Sequence, residues 1–163
     1  MRKGGGVLII EVKDWNLSKY HLDYRKRWFV NHNNALIKSP ISQVLKYKEN
    51  MYDLHIQNLL ELKLRDYRYW YIVNCAIFFY EENKNDIQNF LLTPFILKKE
   101  FLDEKKAKEE AYEQLKESEE KYSTFLNKNI EIIGKDNLNC NDFKELLDKK
   151  WISRKSYTFT DDL

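Results

Sequence analysis

The chain has few residues that break secondary structure, and it lacks a long apolar run. Only four glycines and two prolines occur among its 163 residues, and three of the glycines are adjacent at positions 4–6. No apolar run approaches the roughly 18 residues of a membrane-spanning helix, and the first residues do not form an apolar signal segment. We therefore expect a single cytoplasmic domain with no flexible linker and no membrane segment.

Cysteine and net charge are also low. Cys75 and Cys140 are far apart and in no metal-ligand spacing, which favours reduced thiols over a disulfide or a zinc site. The 28 basic and 26 acidic residues leave a net charge of +2, so net charge alone predicts neither a nucleic-acid nor a membrane partner. The chain has no G-x-x-x-x-G-K-[ST] phosphate loop, which excludes an ATPase of that class within it.

Two apolar segments predict strands. VLIIEVK (7–13) is rich in β-branched residues, and YWYIVNCAIFFY (69–80) has the aromatic and aliphatic content of a central strand buried on both faces. Residues 19–31 mix aromatic and basic side chains and predict a strand or strand pair antiparallel to the first strand. NHNN (31–34) predicts a turn after it.

The helix signals lie between and after these strands. Ser39-Pro40 is a typical helix start, and the helical period then places five residues on one core-facing stripe: Ile41, Val44, Leu45, Tyr52 and His55. Helical character continues through residues 56–64, and a looser stretch is expected around Thr93-Pro94. A highly charged helix is predicted over 103–122 and a short one over 138–150, capped by Asn141. The chain is therefore predicted to have an α/β fold.

The end of the first predicted strand carries the strongest chemical signal. Side chains alternate along a strand, so Glu11 and Lys13 share one face at a separation of about 7 Å. A carboxylate that holds a divalent cation beside an ammonium group suits metal-assisted phosphodiester cleavage. Other Glu-x-Lys triplets occur in the chain, but only this one ends an aliphatic run. The alternative is that these charges are the solvated fringe of a sheet.

Two further groups of residues are candidates for contacts with nucleic acid. Gln43 and Tyr47 are four residues apart on the helix that begins at Ser39, away from its core stripe, and they either line a groove or are ordinary surface residues. The basic and aromatic segment Arg25, Lys26, Arg27 and Trp28 either contacts phosphates and bases or forms a solvated hairpin with inward aromatics.

In this order and spacing, these motifs resemble a known family. IEVK (10–13) followed by Asp14-Trp15, then Ser-Pro-Ile-Ser-Gln (39–43) at a helix start, resembles the NERD (nuclease-related) domain over roughly residues 6–80. That family belongs to the PD-(D/E)XK restriction-endonuclease-like superfamily. The spacing from Gln43 to Tyr47 also resembles the Q-x-x-x-Y motif of exonucleases in the superfamily.

The resemblance implies a fold and roles for single residues. The fold would be a restriction-endonuclease-like mixed sheet flanked by helices, with residues 1–98 as its core and 99–163 as a helical extension of the same domain. Glu11 would bind Mg²⁺ or Mn²⁺, Lys13 would be the catalytic lysine, and Gln43 with Tyr47 would orient DNA. The superfamily also has a metal-binding Asp on a preceding strand, whereas no acidic residue precedes Val7. The first helix and strand of the fold are therefore expected to be missing, and the metal would bind weakly.

Two functional hypotheses follow from this resemblance. The preferred one is a DNA-processing nuclease, expected as a fragment of a larger bacterial nuclease/helicase-type polypeptide, with a helicase-like ATPase in the same or a neighbouring chain. The alternative is a degenerate relative that binds nucleic acid or another protein without cutting DNA. Whether the chain is an enzyme is left open between the two.

Overall fold

The computed structural model describes residues 7–55, 70–137 and 144–145. Within these ranges it has three α-helices: α1 (Pro40–Asn50), α2 (Lys84–Glu104) and α3 (Glu109–Asn129). It has six strands: β1 (Val7–Lys13), β2 (Tyr20–Leu22), β3 (Trp28–Val30), β4 (Leu36–Ile37), β5 (Val73–Phe79) and β6 (Ile130–Gly134). The predicted α/β class is confirmed, with a parallel and an antiparallel sheet flanked by helices, as in a restriction-endonuclease-like fold.

The main sheet is parallel and has the order β1-β5-β6. β5 lies in the centre, where Val73, Ala76 and Ile77 have no exposed surface, so the predicted central strand is confirmed. Such near-continuous burial explains why this strand is apolar on both faces. The third strand, β6, was not predicted, because its five residues follow a charged helix without a turn signal between them.

The second sheet is antiparallel, with the order β2-β3-β4. The predicted strand pair and the turn after it therefore exist, and Asn34 adopts a positive φ of 55° in that turn. The expected antiparallel pairing with β1 is wrong, since the neighbour of β1 is the parallel strand β5. The small sheet packs through side chains instead: the indole of Trp28 stacks on Phe79 of β5 with a centroid distance of 6.3 Å.

Helix α1 begins where the sequence predicts it. The hydroxyl of Ser39 accepts a hydrogen bond from the Ser42 amide, and Pro40 occupies the first turn. Ile41 and Val44 are buried, and the thiol of Cys75 donates to the Val44 carbonyl, with 3.6 Å between the sulfur and the oxygen. Helix α1 therefore packs on the face of the main sheet that carries the Cys75 side chain.

The looser stretch expected around Thr93-Pro94 is wrong, because α2 continues through it for 21 residues. Pro94 has no N–H to donate to the carbonyl of Phe90, four residues before it. The hydroxyl of Thr93 donates to that carbonyl instead, at 2.7 Å. A substitute donor and the complete burial of Pro94 in the core let the helix keep its proline.

The charged helix exists, but its predicted start at residue 103 is wrong. Helix α2 ends at Glu104, a turn follows in which Lys106 has a φ of 49°, and α3 begins at Glu109. The hydroxyl of Tyr112 donates to Asp103 at 2.7 Å, which links the two helices across this turn. The division of the chain at residue 98 stays a prediction. Residue 98 lies within α2, and the segment after it supplies β6 to the main sheet.

Some expectations lie outside the described residues. These are the continuing helix over 56–64, the capped helix over 138–150 apart from residues 144–145, and the core position of the His55 side chain. In the part of the chain that the structure describes, no helix is long and apolar enough to cross a membrane.

Candidate functional site

Glu11 and Lys13 form an ion pair near the carboxyl end of β1. The ammonium nitrogen of Lys13 lies 2.7 Å from a carboxylate oxygen of Glu11, and each side chain is only 14% exposed. The strand itself causes this proximity, because residues two apart in a strand project from the same face. The sequence prediction that the two charges share one surface is confirmed.

The register of the sheet identifies that surface. Ile9, Glu11 and Lys13 pair with Cys75, Ile77 and Phe79 of β5. Neighbouring residues in a parallel pair project from the same face, so all six side chains lie on one side of the sheet. Since Cys75 contacts α1 on that side, Glu11 lies on the face that α1 covers.

Aromatic side chains surround the carboxyl end of this face. The ring of Phe79, the register partner of Lys13, lies 6.3 Å from the rings of both Trp15 and Trp28. The Lys13 ammonium nitrogen lies 4.8 Å from the centre of the Trp15 ring. Glu11 thus lies between the row of Cys75, which contacts α1, and the row of Phe79, which contacts the aromatic rings and includes Lys13 itself.

The side chain of Gln43, on α1, contains a polar atom in an unusual environment. Its side-chain oxygen Oε1 is fully buried and has no hydrogen-bond partner among the described residues. A buried acceptor without a donor costs about 1–3 kcal/mol. A glutamine kept in such a position, on the helix that covers Glu11, is well suited to accept a hydrogen bond or to coordinate a cation.

Tyr47 lies one helical turn beyond Gln43, and 45% of its surface is exposed. The predicted role of this tyrosine in orienting a substrate remains a prediction.

The predicted metal site has few ligands in the described residues. No cluster of three or more His, Cys, Asp or Glu side chains that could hold a metal ion occurs among them, and Asp14 is exposed. Glu11 supplies one carboxylate and Gln43 one amide oxygen. Mg²⁺ usually takes one or two carboxylates, with waters and substrate phosphates as its other ligands. A Mg²⁺ ion bound at Glu11 therefore remains a prediction from the sequence.

The four residues predicted to bind nucleic acid have separate positions. Trp28 is only 2% exposed and belongs to the core, so its predicted availability to a base is wrong: the strand alternation turns it towards Phe79. Lys26 has its ammonium nitrogen 4.9 Å from the ring of Tyr122, whereas Arg27 pairs with Asp23 at 2.7 Å. Arg25 is exposed.

Lys48 is a residue that the sequence prediction missed. It is 1% exposed, and its ammonium nitrogen lies 4.1 Å from the centre of the Trp70 ring. Burial raises the pKa of the neighbouring Cys75 thiol to about 11, an effect that the Lys48 charge partly opposes. The helical period could have predicted the burial of Lys48, because this residue falls four residues after Val44 on the core stripe.

Comparison with known proteins gives one match. The model of the nuclease-related domain family, NERD, matches residues 1–80. None of the curated proteins matches the chain, and neither does any solved structure. The family match covers β1, the small sheet, α1 and β5, and therefore every residue of the site described above.

Proposed function

Because residues 1–80 belong to the nuclease-related domain family, we propose that the chain acts on nucleic acid at the Glu11–Lys13 pair. The reaction proposed is hydrolysis of a phosphodiester bond in DNA. One observation carries the proposal: a carboxylate and an ammonium group 2.7 Å apart and largely shielded from water, at the end of a strand whose neighbouring helix presents the buried Gln43 oxygen.

Each side chain has a role that its chemistry supports. The Lys13 ammonium would stabilise the negative charge that develops on the phosphate, because a cation shielded from water acts strongly on nearby charge. Gln43 would accept a hydrogen bond from the attacking water or from the substrate, and the exposed Tyr47 would contact the chain of nucleotides. The ring of Trp15 lies beside this ammonium group, with its centre 4.8 Å from the nitrogen.

A divalent cation completes the proposal. Glu11 and the amide oxygen of Gln43 would hold Mg²⁺ or Mn²⁺, which when bound supplies Lewis-acid polarisation of the phosphate. Glu11 is already paired with Lys13, so the cation has to compete with this ion pair. We therefore expect weak cation binding to the free protein and stronger binding with nucleic acid present.

The second candidate function is a module that binds nucleic acid without cutting it. The observation that favours it is the single carboxylate at the site, already neutralised by Lys13, with no metal-binding cluster in the described ranges. Binding that weakens with salt, without metal-dependent turnover, is the expected behaviour of such a module.

The experiment is a cleavage assay on single-stranded and duplex DNA with Mg²⁺ or Mn²⁺. The variants are Glu11→Gln and Lys13→Met, and the controls are Glu131→Gln and Lys84→Met. Lys84 and Glu131 form another ion pair, 3.4 Å apart, at β6 and the start of α2. Cleavage lost in the first two variants and kept in the controls supports the proposal. Cleavage that survives in Glu11→Gln and Lys13→Met excludes a catalytic role for this pair, and absence of cleavage in the parent chain favours the second function.

The proposal also includes the polypeptide and the partner with which the domain works. We also propose, from the motifs in the sequence alone, that the domain belongs to a DNA-processing polypeptide and works with a helicase-like ATPase in the same or a neighbouring chain. Stimulation of that ATPase by DNA only when this domain is present is the measurement that supports the partnership.

A further inference from the structure

Positive charge is concentrated in the segment that forms the small sheet. Over residues 19–38 the segment has a single acidic residue, Asp23, whereas the whole chain is nearly neutral at +2. Its basic residues are Lys19, Arg25, Lys26, Arg27 and Lys38. A local excess of this kind attracts a polyanion even when the net charge of the protein does not.

The small sheet has one buried and one open face. Leu22, Trp28 and Ile37 are register partners, and Leu22 and Trp28 are buried against the core. The register partners on the next row are His21, Phe29 and Leu36, which project from the opposite side. His21 is exposed, Leu36 is 61% exposed, and Phe29 is partly exposed. We call His21, Phe29 and Leu36 the outer row.

Planar groups are stacked along this outer row. The imidazole of His21 and the ring of Phe29 are nearly parallel, with an interplanar angle of 13° and a centroid distance of 5.4 Å. The guanidinium carbon of Arg27 lies 5.5 Å from the centre of the Phe29 ring. At the hairpin turn, Arg25 lies 5.2 Å from the ring of Tyr24, which is 50% exposed. The surface therefore combines ring faces with cations.

Open apolar space adjoins the outer row at His21. This residue is also part of the lining of a cavity of about 450 Å³ between β2 and α2, together with Phe90, Ile96 and Leu97. Ile96 and Leu97 are exposed on α2. This space is lined mainly by apolar side chains, as is common in ligand sites, and Asp86 is the acidic residue in its lining.

We propose that the outer row and the arginines beside it bind a single-stranded segment of nucleic acid by stacking its bases. This inference rests on the proposed function and adds to it the class of substrate and the surface that holds it. Stacking on protein rings requires bases that are not already stacked in a duplex, while the arginines attract the phosphates. A single strand is the occupant that uses both the rings and the positive charge.

Lys26 has a different role from the arginines. Its ammonium nitrogen lies 4.9 Å from the ring of Tyr122 and 5.3 Å from the ring of Phe95, and its backbone has a φ of 62°. These contacts join the β2–β3 hairpin to α3 and α2. Lys26 is therefore a positioning residue that holds the hairpin. Arg25 and Arg27 remain at the surface, and the Arg27 guanidinium also pairs with Asp23 at 2.7 Å.

The test measures binding by fluorescence anisotropy, with a labelled oligothymidylate and with a labelled duplex of equal length. The oligothymidylate has roughly 20 nucleotides, which is longer than the site sizes usual for such surfaces. In Phe29→Leu, we expect the affinity for the single strand to fall about tenfold and that for the duplex to stay within about twofold. Phe29→Tyr keeps a ring and should bind as the parent does. Arg25→Ala should reduce the slope of log affinity against log salt by about one.

The matched control is Phe101→Leu. Phe101 is 53% exposed on α2, and the ammonium nitrogen of Lys105 lies 4.3 Å from the centre of its ring, so the same chemistry is removed from another surface. Its affinity for the single strand should equal that of the parent chain. An equal loss in Phe29→Leu and Phe101→Leu, or a loss of the same size on duplex and single strand, overturns the proposal. Circular dichroism verifies that each variant is folded.

The binding and cleavage assays together distinguish failure of this inference from failure of the proposed function. If Phe29→Leu binds the single strand normally while Glu11→Gln abolishes cleavage, the stacking surface is wrong and the nuclease site stands. If Phe29→Leu loses binding while the parent chain cleaves nothing, the surface stands with the non-cleaving function. A parent chain that binds neither oligonucleotide at low salt overturns both proposals.

Discussion

Gly134, the last residue of β6, lies directly against the backbone of Lys84 at the start of α2. A Cβ atom on Gly134 would overlap the Lys84 nitrogen and would be 2.6 Å from the carbonyl carbon of Asn83. Both atoms belong to the main chain, so neither can move aside as a side chain would. This close approach fixes how the strand ends beside the helix.

We expect Gly134→Ala to lower the free energy of unfolding by about 1–3 kcal/mol, because the added methyl group forces the strand and helix apart. Asp136→Ala is the comparison: its carboxylate accepts from the Lys84 amide at 2.8 Å, and its loss should cost about 1 kcal/mol. Urea unfolding measures both variants. If Gly134→Ala is as stable as the parent chain, the close approach is wrong.

Thr93 and Pro94 should be coupled in stability. The Thr93 hydroxyl donates to the Phe90 carbonyl, to which Pro94 cannot donate because it has no N–H. Thr93→Val should therefore lower the free energy of unfolding by about 1 kcal/mol. In a Pro94→Ala background the restored N–H can reach that carbonyl, so Thr93→Val should cost less there. A double-mutant cycle by urea unfolding measures the difference, and equal costs in the two backgrounds would contradict the compensation.

Gln43→Met should change stability and function in opposite directions. The substitution removes the buried oxygen that has no donor among the described residues, so unfolding should cost about 1 kcal/mol more. Cleavage or binding of nucleic acid should fall at the same time, because the proposed acceptor is gone. Gln88→Met on α2, which is also partly buried, is the control and should alter neither. Lower stability in Gln43→Met would show that the oxygen has a partner.

Cys75 should be inert in the folded protein. Burial raises the pKa of its thiol from 9.0 to about 11, so almost no thiolate forms at neutral pH. In a Cys140→Ser background, a thiol reagent should label the chain only after denaturant is added. Rapid labelling of the native chain would show that Cys75 is accessible.

The same thiol predicts a dependence of stability on pH. The unfolded state loses the proton near pH 9 and the folded state near pH 11, so stability should fall as the pH rises between these values. Burial also raises the pKa of Tyr122 to about 12, which acts in the same direction at higher pH. Cys75→Val should remove the thiol's share of the loss and leave that of the tyrosine.

The site was predictable in part because strand alternation is a local property. Residues 11 and 13 share a face in any strand, so the common face of Glu11 and Lys13 followed from their spacing alone, whereas their ion pair at 2.7 Å did not. The position of Trp28 did not follow, because alternation predicts two faces without saying which one meets the core. The two faces of β3 are distinguished by the packing of Phe79, Trp15 and Phe90 against one of them.

The sequence by itself determined the strand that ends in Glu11 and Lys13, the helix that begins at Ser39 and the buried character of β5. These depend on periods, caps and apolar runs within a few residues. Only the tertiary structure decided that β6 joins the main sheet, that Pro94 stays within a helix, and that Gln43 keeps an oxygen buried without a donor in the described chain. Those outcomes depend on side chains distant in the sequence, whose packing overrides local preference.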